Sequence, residues 1–148
     1  MNRCVWAGKS TKHKTPWGHE IRWTGLLTGK ELHITKGGRT SLKFYKMKSE
    51  VLLIAAGTVI AEVADECHWT DPVQCPVRKI VLNKGDFLNV QAGCPYRLFA
   101  TEDSIVYEIC EGSTSECVRL ADDYDRSIDE AAAQSYIFRP PNDEEWKT

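Results

Sequence analysis

Lys43 and Tyr45 stand two residues apart in an apolar-punctuated run, Thr40 to Met47, and side chains at that spacing leave the same face of a β-strand. An ammonium can hold a carboxylate, a phosphate or a developing oxyanion, and a phenol can donate a proton or polarise a carbonyl. Glu50 follows close behind and offers a general base. Tyr96 supplies a second phenol on another candidate strand, where it shares a face with Leu98. Lys43, Tyr45, Glu50 and Tyr96 are therefore the candidate catalytic set, with Arg97, Gln91 and His33 as candidate ligand-binding residues. His19 and His33 are the histidines of the strand-rich region, and a lone His on a strand is more often a surface or satisfied residue. Cys67-His68 with Cys75 offers three metal ligands or a disulfide, but its spacing matches no common zinc pattern. Cys94 precedes Pro95 without a charged sequence neighbour to activate its thiol.

The elements that must position these groups are short. Between Ile21 and Glu111, apolar runs are broken by Gly, Pro, Asn and Asp, which is the pattern of strands linked by turns. Strands are expected at Ile21 to Leu27, Lys30 to Thr35, Thr40 to Met47, Glu50 to Ala56, Thr58 to Val63, Val77 to Leu82, Asp86 to Val90, Tyr96 to Ala100 and Ser104 to Glu111. No helix-length amphipathic segment separates them, so a sandwich or barrel is favoured over βαβ units. Gly37-Gly38, Ala56-Gly57-Thr58 and Asn83-Lys84-Gly85-Asp86 read as tight connections. Asp65 to Pro76 reads as a loop leaving a hairpin. Ser127-Ile128-Asp129-Glu130 has the form of a capping box before Ala131, Ala132 and Ala133, so a short C-terminal helix is expected, ending before Pro140-Pro141. The tail beyond is polar apart from Trp146, which needs a groove to be ordered.

With 148 residues, the chain has room for one core and one domain. Its 19 basic and 21 acidic residues leave a net charge of -2, so no global attraction to nucleic acid or anionic membrane is expected. Lys9, Lys12, His13 and Lys14 form a local basic cluster that reads as a solvated N-terminal arm. No apolar stretch reaches bilayer-spanning length, and Met1 to Trp6 lacks the core of a signal peptide. A soluble cytoplasmic protein is the expectation. The six cysteines, Cys4, Cys67, Cys75, Cys94, Cys110 and Cys117, are accordingly expected as reduced structural thiols. No Gly-rich stretch has the spacing and following helix of a nucleotide loop.

Three segments carry a resemblance: Pro16-Trp17-Gly18-His19-Glu20, the strand-rich centre, and Val118 to Arg126 with Arg119, Asp122, Tyr124 and Arg126. Together they resemble the cupin domain of type II mannose-6-phosphate isomerases, found at the C-terminal end of mannose-1-phosphate guanylyltransferases. Asp125 stands where that family has Gly. The resemblance implies an all-β double-stranded β-helix, a jelly-roll-like barrel, over residues 15–126, with an arm at 1–14 and a short helix and tail at 127–148. The first general cupin motif, Gly, His-x-His, Glu and Gly, aligns with Gly37, Lys43 and Tyr45, Glu50 and Gly57. The second, Gly and then Pro-x-Gly-x-x-His, aligns with Gly85, Gln91, Gly93 and Tyr96. Of the family's metal ligands only Glu50 remains, and an ammonium or neutral phenol offers a divalent ion little. No cofactor or metal is therefore expected.

In that register Lys43, Tyr45, Glu50 and Tyr96 line one barrel mouth, and two readings stay open. In one, Lys43 pairs with Glu50 and the phenols fill space. In the other, the set isomerises or epimerises a sugar phosphate or nucleotide sugar without metal. A catalytically silent cupin that binds a small anionic or carbohydrate ligand, or serves in assembly, is the alternative. The expected partners are a small polar ligand and, as is common among cupins, a second copy in a homodimer.

Overall fold

A computed structural model describes residues 2–111 and 117–136. Alternation sets its strands. Along Glu50–Ala56, Glu50, Leu52 and Ile54 are buried while Val51 and Leu53 face outward. Along Ser104–Glu111 the buried positions are Ser104, Val106, Glu108 and Cys110. Such a period of two demands a covered and an open face on each sheet.

The strands are β1 (Thr11–Thr15), β2 (Gly18–Thr24), β3 (Leu27–Ile34), β4 (Leu42–Tyr45), β5 (Glu50–Ala56), β6 (Thr58–Val63), β7 (Arg78–Asn83), β8 (Phe87–Val90), β9 (Tyr96–Ala100), β10 (Ser104–Glu111) and β11 (Cys117–Ala121), with helix α1 at Glu130–Ser135. One sheet has the order β1-β2-β3-β10-β5-β8 and the other β11-β4-β9-β6-β7, and the paired strands run antiparallel. The chain therefore changes sheet at every connection from β3 onward except β6 to β7, and the changes at β3 to β4, β5 to β6 and β7 to β8 fall at the three glycine turns read from the sequence. Gly37, Gly57 and Gly85 all have positive φ. At Gly57 the requirement is also steric, because a Cβ would come within 2.3 Å of Ser104 Oγ and 2.5 Å of the Asp103 carbonyl oxygen. Ile34, Leu52, Ile54, Val59, Ala61, Leu98, Ala100 and Val106 meet between the sheets as the main apolar core.

Several expectations need correction. Strand pairing begins at Thr11, inside the segment expected to be an arm, and β11 is a further strand within the closing segment. The helix cap is Asp129, whose carboxylate accepts from the Ala132 amide at 3.0 Å, and not Ser127. The Asp65 to Pro76 connection does leave a hairpin, since β6 pairs with β7. Its single 3-10 turn, Glu66–Trp69, brings Cys67 and Cys75 together, and they form a disulfide. Those two are not reduced thiols; Cys4, Cys94, Cys110 and Cys117 are free. Pro140, Pro141 and Trp146 lie outside the described residues.

The closing segment after β11 works as a clasp. Asp122 accepts from the backbone amides of Tyr124 and Arg126 and from the Arg126 guanidinium. The Arg39 guanidinium grips Asp123 through two bonds of 2.7 and 2.6 Å. Asp125 takes a left-handed φ of 60°, a conformation that glycine adopts at least cost. On the outer face of the second sheet, α1 and Tyr136 cover Leu42, Ala64, Val118 and Leu120.

Candidate functional site

The inward residues change character along the barrel. On β3 the inward side chains run Ile34, Leu32, Lys30; on β5, Ile54, Leu52, Glu50; on β10, Val106, Glu108, Cys110; on β9, Leu98, Tyr96. Each strand is apolar at one end and polar at the other, and the registers Glu108 with Lys30, Glu50 with Cys110 and Lys43 with Tyr96 stack the polar ends together. The result is one polar cluster inside the barrel, drawn from five strands and the loop before β5.

At its centre are two buried carboxyls. Glu50 and Glu108, each 3% exposed, lie beside one another, and each shifts the proton affinity of the other. Tyr96 donates its hydroxyl to Glu50 Oε2 at 2.5 Å, and Lys48 Nζ is 3.0 Å from Glu50 Oε1 and 3.9 Å from Glu108 Oε1. These contacts split the pair. Burial pushes Glu50 toward its neutral form, but the hydrogen bonds from Glu108 and Tyr96 and the Lys48 and Lys43 charges outweigh it and hold Glu50 below its ordinary range. Glu108 goes the other way: burial, then the Glu50 charge, raise it to about 7. Like charges so close cannot both ionise freely, so Glu108 carries the proton and Glu50 the charge.

The remaining groups surround this pair. Lys43 Nζ lies over the Tyr96 ring, 4.7 Å from its centroid, and Lys48 Nζ lies over the Tyr45 ring at 3.9 Å. Burial lowers the proton affinity of the Lys43 amine, with Glu108 and Glu50 opposing. Lys48 is held above its ordinary value because Glu50 overcomes the effect of burial. Burial, followed by the Glu108 charge, pushes both phenols above their ordinary value, so Tyr45 and Tyr96 are neutral donors. Glu50 and Tyr96 also line a cavity of about 710 Å³, together with Gln91, Cys94, Arg78 and Asp65.

The expected residues thus divide. Lys43, Tyr45, Glu50 and Tyr96 do converge, and Gln91 lines the adjoining cavity. Lys43 does not pair with Glu50; Lys48 does. Arg97 and His33 are elsewhere, because their neighbours on β9 and β3 take the inner face. Arg97 projects outward, with Nε 3.0 Å from Glu62 Oε2, beneath Tyr136. His33 lies on the outer face of the first sheet, its ring stacked on His19 at 4.2 Å and its Nε2 2.6 Å from Glu31 Oε1. Glu108 and Lys48 were missed. Glu108 carried a usable signal, a carboxylate two residues from Val106 in an otherwise apolar inward row, whereas nothing in the sequence around Lys48 marks it.

The donor set at the cupin ligand positions does not fit a divalent ion. Two positions hold neutral phenols, one holds an amine, and the surviving carboxylate is engaged by Tyr96, Lys48 and Glu108. Among the described residues no group of three or more His, Cys, Asp or Glu side chains is arranged for a metal. Nor is any helix among them long and apolar enough to cross a membrane.

No family model matches the chain, and no curated protein matches it in sequence. Solved structures match its shape. The Lactobacillus farciminis oxalate decarboxylase formate complex superposes with a TM-score of 0.63 at 13% identity, over 75% of this chain and 33% of that one. A Trp-to-Phe variant of the Bacillus subtilis oxalate decarboxylase gives 0.65 at 17% identity, over 86% and 34%. Procruciferin, an 11S globulin from Brassica napus, gives 0.61 at 14% identity, over 74% and 29%. These are cupin structures, and two facing antiparallel sheets closed as a jelly roll define the fold of this chain as a cupin barrel. The chain spans about a third of the length of each of those proteins.

Proposed function

We propose that this cupin barrel takes a small, hydroxylated, carbohydrate-type ligand into the cavity beside Glu50 and Tyr96 and moves its protons without a metal ion. The observation that carries the reading is the pair of buried carboxyls, Glu50 and Glu108, with Tyr96 and Lys48 both on Glu50 at the edge of a cavity. A carboxyl that keeps its proton to about 7 is matched to giving and taking protons near neutral pH. In sugar isomerisation or epimerisation a proton leaves a carbon beside a carbonyl and another is returned. In this reading Glu50 accepts the proton, Glu108 exchanges protons with Glu50 from behind it, and Tyr96 polarises the oxygen.

The resemblance to type II mannose-6-phosphate isomerases narrows the ligand to a sugar phosphate or nucleotide sugar. Support comes from the two cupin motifs, whose positions converge here, and from the left-handed Asp125 at that family's glycine position. At the cavity wall, Arg78, shared with Asp65, is the cation available to a phosphate. A second reading, a silent binding module, is favoured by one specific fact: Tyr96 and Lys48 already engage both oxygens of Glu50 from within the protein.

Thermal-shift measurements with mannose 6-phosphate, fructose 6-phosphate and GDP-mannose, with and without a chelator, test the binding step. A ligand at about 100 times its Kd adds about 2.7 kcal/mol. A chelator-insensitive shift is expected, with solvent-deuterium uptake into the sugar that is lost in E50Q. A shift without uptake supports the silent reading, and no shift with any probe rejects both.

A further inference from the structure

The two sheets differ in what lies on their outer faces. On the second, α1 and Tyr136 cover Leu42, Ala64, Val118 and Leu120. On the first, no such cover is found among the described residues: Trp23, Val51, Leu53, Phe87 and Ile109 point away from the core and are 38% to 60% exposed. An antiparallel sheet with one face in water alternates apolar and polar side chains, whereas strands covered on both faces are apolar throughout. β5 carries Val51 and Leu53 outward and Leu52 and Ile54 inward, and β10 carries Tyr107 and Ile109 outward. Both read as strands that expect a cover on the outside as well.

Register makes these side chains one surface. Trp23, Gly29, Ile109, Val51 and Asn89 stand in a row across β2, β3, β10, β5 and β8. Ile21, Glu31, Tyr107, Leu53 and Phe87 make the next row, with Lys12 of β1 at its end. The Trp23 indole fills the space above Gly29, where a Cβ would come within 2.0 Å of Cζ2, so an aromatic side chain closes the gap in the first row. With the neighbouring row of His19, His33 and Ile105, strands about 4.8 Å apart and rows about 7 Å apart give a face of roughly 500 Å². That is the upper end of what monomers leave open. Two such faces together bury roughly 1,000 Å², the lower bound for a specific interface.

We propose that this face is the contact between two copies of the chain, packed sheet on sheet about a two-fold axis that runs parallel to the strands between β3 and β10. A two-fold contact uses the same patch on both copies, so the patch must complement itself. With the strand order β1-β2-β3-β10-β5-β8, that axis lays β3 on the partner's β10, β2 on its β5 and β1 on its β8. It also keeps the rows aligned to within the usual twist of packed sheets, about 30°. Ile21 then meets the partner's Leu53, and Trp23 meets the partner's Val51. The Glu31 carboxylate faces the partner's Tyr107 hydroxyl, and the Lys12 ammonium faces the partner's Phe87 ring. Apolar groups meet apolar groups, an acceptor meets a donor and a cation meets a ring face. An axis across the strands through the same row would set Glu31 against Glu31 and Lys12 against Lys12, which is repulsive. Leu27, Val51 and Ile109 also line the cavity beside Glu50, so the second copy borders the rim of that cavity.

Sedimentation equilibrium of the full chain over a concentration series tests this. The expected result is a species of twice the 16.8 kDa chain mass. L53E and I109E each place a carboxylate in the contact and should weaken the dimer by about 100-fold. V81E, at an exposed position on the outer face of the second sheet, should leave it intact. I21C/L53C reports the axis: within one copy the two positions are three strand spacings apart, about 14 Å, too far for a disulfide. Mild oxidation of that variant should therefore join two copies through those positions, as peptide mapping would show. A monomeric wild type across the series overturns the inference, as does a dimer that V81E breaks and L53E and I109E spare. A dimer sensitive to L53E that forms no such cross-link overturns the axis while supporting the face.

Discussion

Replacing Glu108 by Gln removes one titrating group from the buried pair while keeping a donor for Glu50. In the folded protein Glu108 holds its proton to about 7, against an ordinary value of 4.5, because it is buried and then because Glu50 beside it is charged. The unfolded chain releases that proton at the ordinary value. Between the two values the folded state binds more protons, so stability falls as pH rises. The contribution is fully present below 4.5, is lost through about 7, and is absent above. A gap of about 2.5 pH units at about 1.4 kcal/mol each corresponds to about 3 kcal/mol. Glu50, held low, acts in a different window: its contribution is present above the ordinary value and fades as pH falls below it. The groups facing Glu108, namely Lys30, Lys43, Lys48, Tyr45 and Tyr96, keep their places in E108Q. Urea unfolding of both proteins from about pH 5 to 8.5 gives the assay. The wild-type curve should descend relative to E108Q by about 3 kcal/mol. Burial of Glu62 also raises that carboxyl, but this adds the same slope to both proteins and cancels in the difference. Parallel curves would refute the shared-proton assignment.

Three further outcomes follow from the same contacts. Cys67→Ser with Cys75→Ser opens a loop closed over a separation of 8 residues, which chain entropy values at about 2 to 3 kcal/mol; thermal unfolding should register the loss, and dithiothreitol should then have no further effect. Gly57→Ala forces a Cβ to 2.3 Å from Ser104 Oγ at a φ of 79°, and a cost above about 2 kcal/mol is expected in denaturant melts. Arg97→Met leaves the buried Glu62 carboxylate without its guanidinium partner and should cost about 3 to 5 kcal/mol, much of it recovered in R97M/E62L. Equal stability of the single and double variants would contradict that account.

The two-residue period made the inner strands legible. Glu50–Ala56, Thr58–Val63, Tyr96–Ala100 and Ser104–Glu111 have the bounds expected from their apolar alternation. β1 was not legible, because Thr11, Lys12, His13 and Lys14 make a polar edge strand whose pairing depends on β2 and not on burial of its own side chains. The same period argues against naming both Tyr96 and Arg97 as site residues, since neighbours on a strand cannot share a face. Leu32 and Ile34 exclude His33 in the same way. Glu108 could have been found by following Val106 inward, but Lys48 lies outside any strand and its direction is set by the path of a loop. The disulfide is of that kind too: spacing left it open, and only the folded turn brings the two Cα atoms to 5.8 Å.

The polar end of the barrel is costly to the fold, and that cost is itself an argument about function. Buried ion pairs are often neutral or unfavourable beside apolar residues of equal volume, and every strand that carries Glu50, Glu108 or Tyr96 has such residues, Leu52, Val106 and Leu98, one inward step away. Leucine or phenylalanine at the same positions would close the barrel at lower cost. Stability is instead supplied away from the cluster, by the apolar end, by the Arg39–Asp123 clasp and by the layer under α1. With that support, the cluster can hold Glu108 protonated and the Lys43 amine toward neutrality, both away from the charge state each prefers in water. Groups held in disfavoured charge states directly behind the Glu50 and Tyr96 wall of a cavity are already arranged for proton chemistry, so reorganisation at the moment of reaction is small. Structural packing alone gives no reason to hold them there.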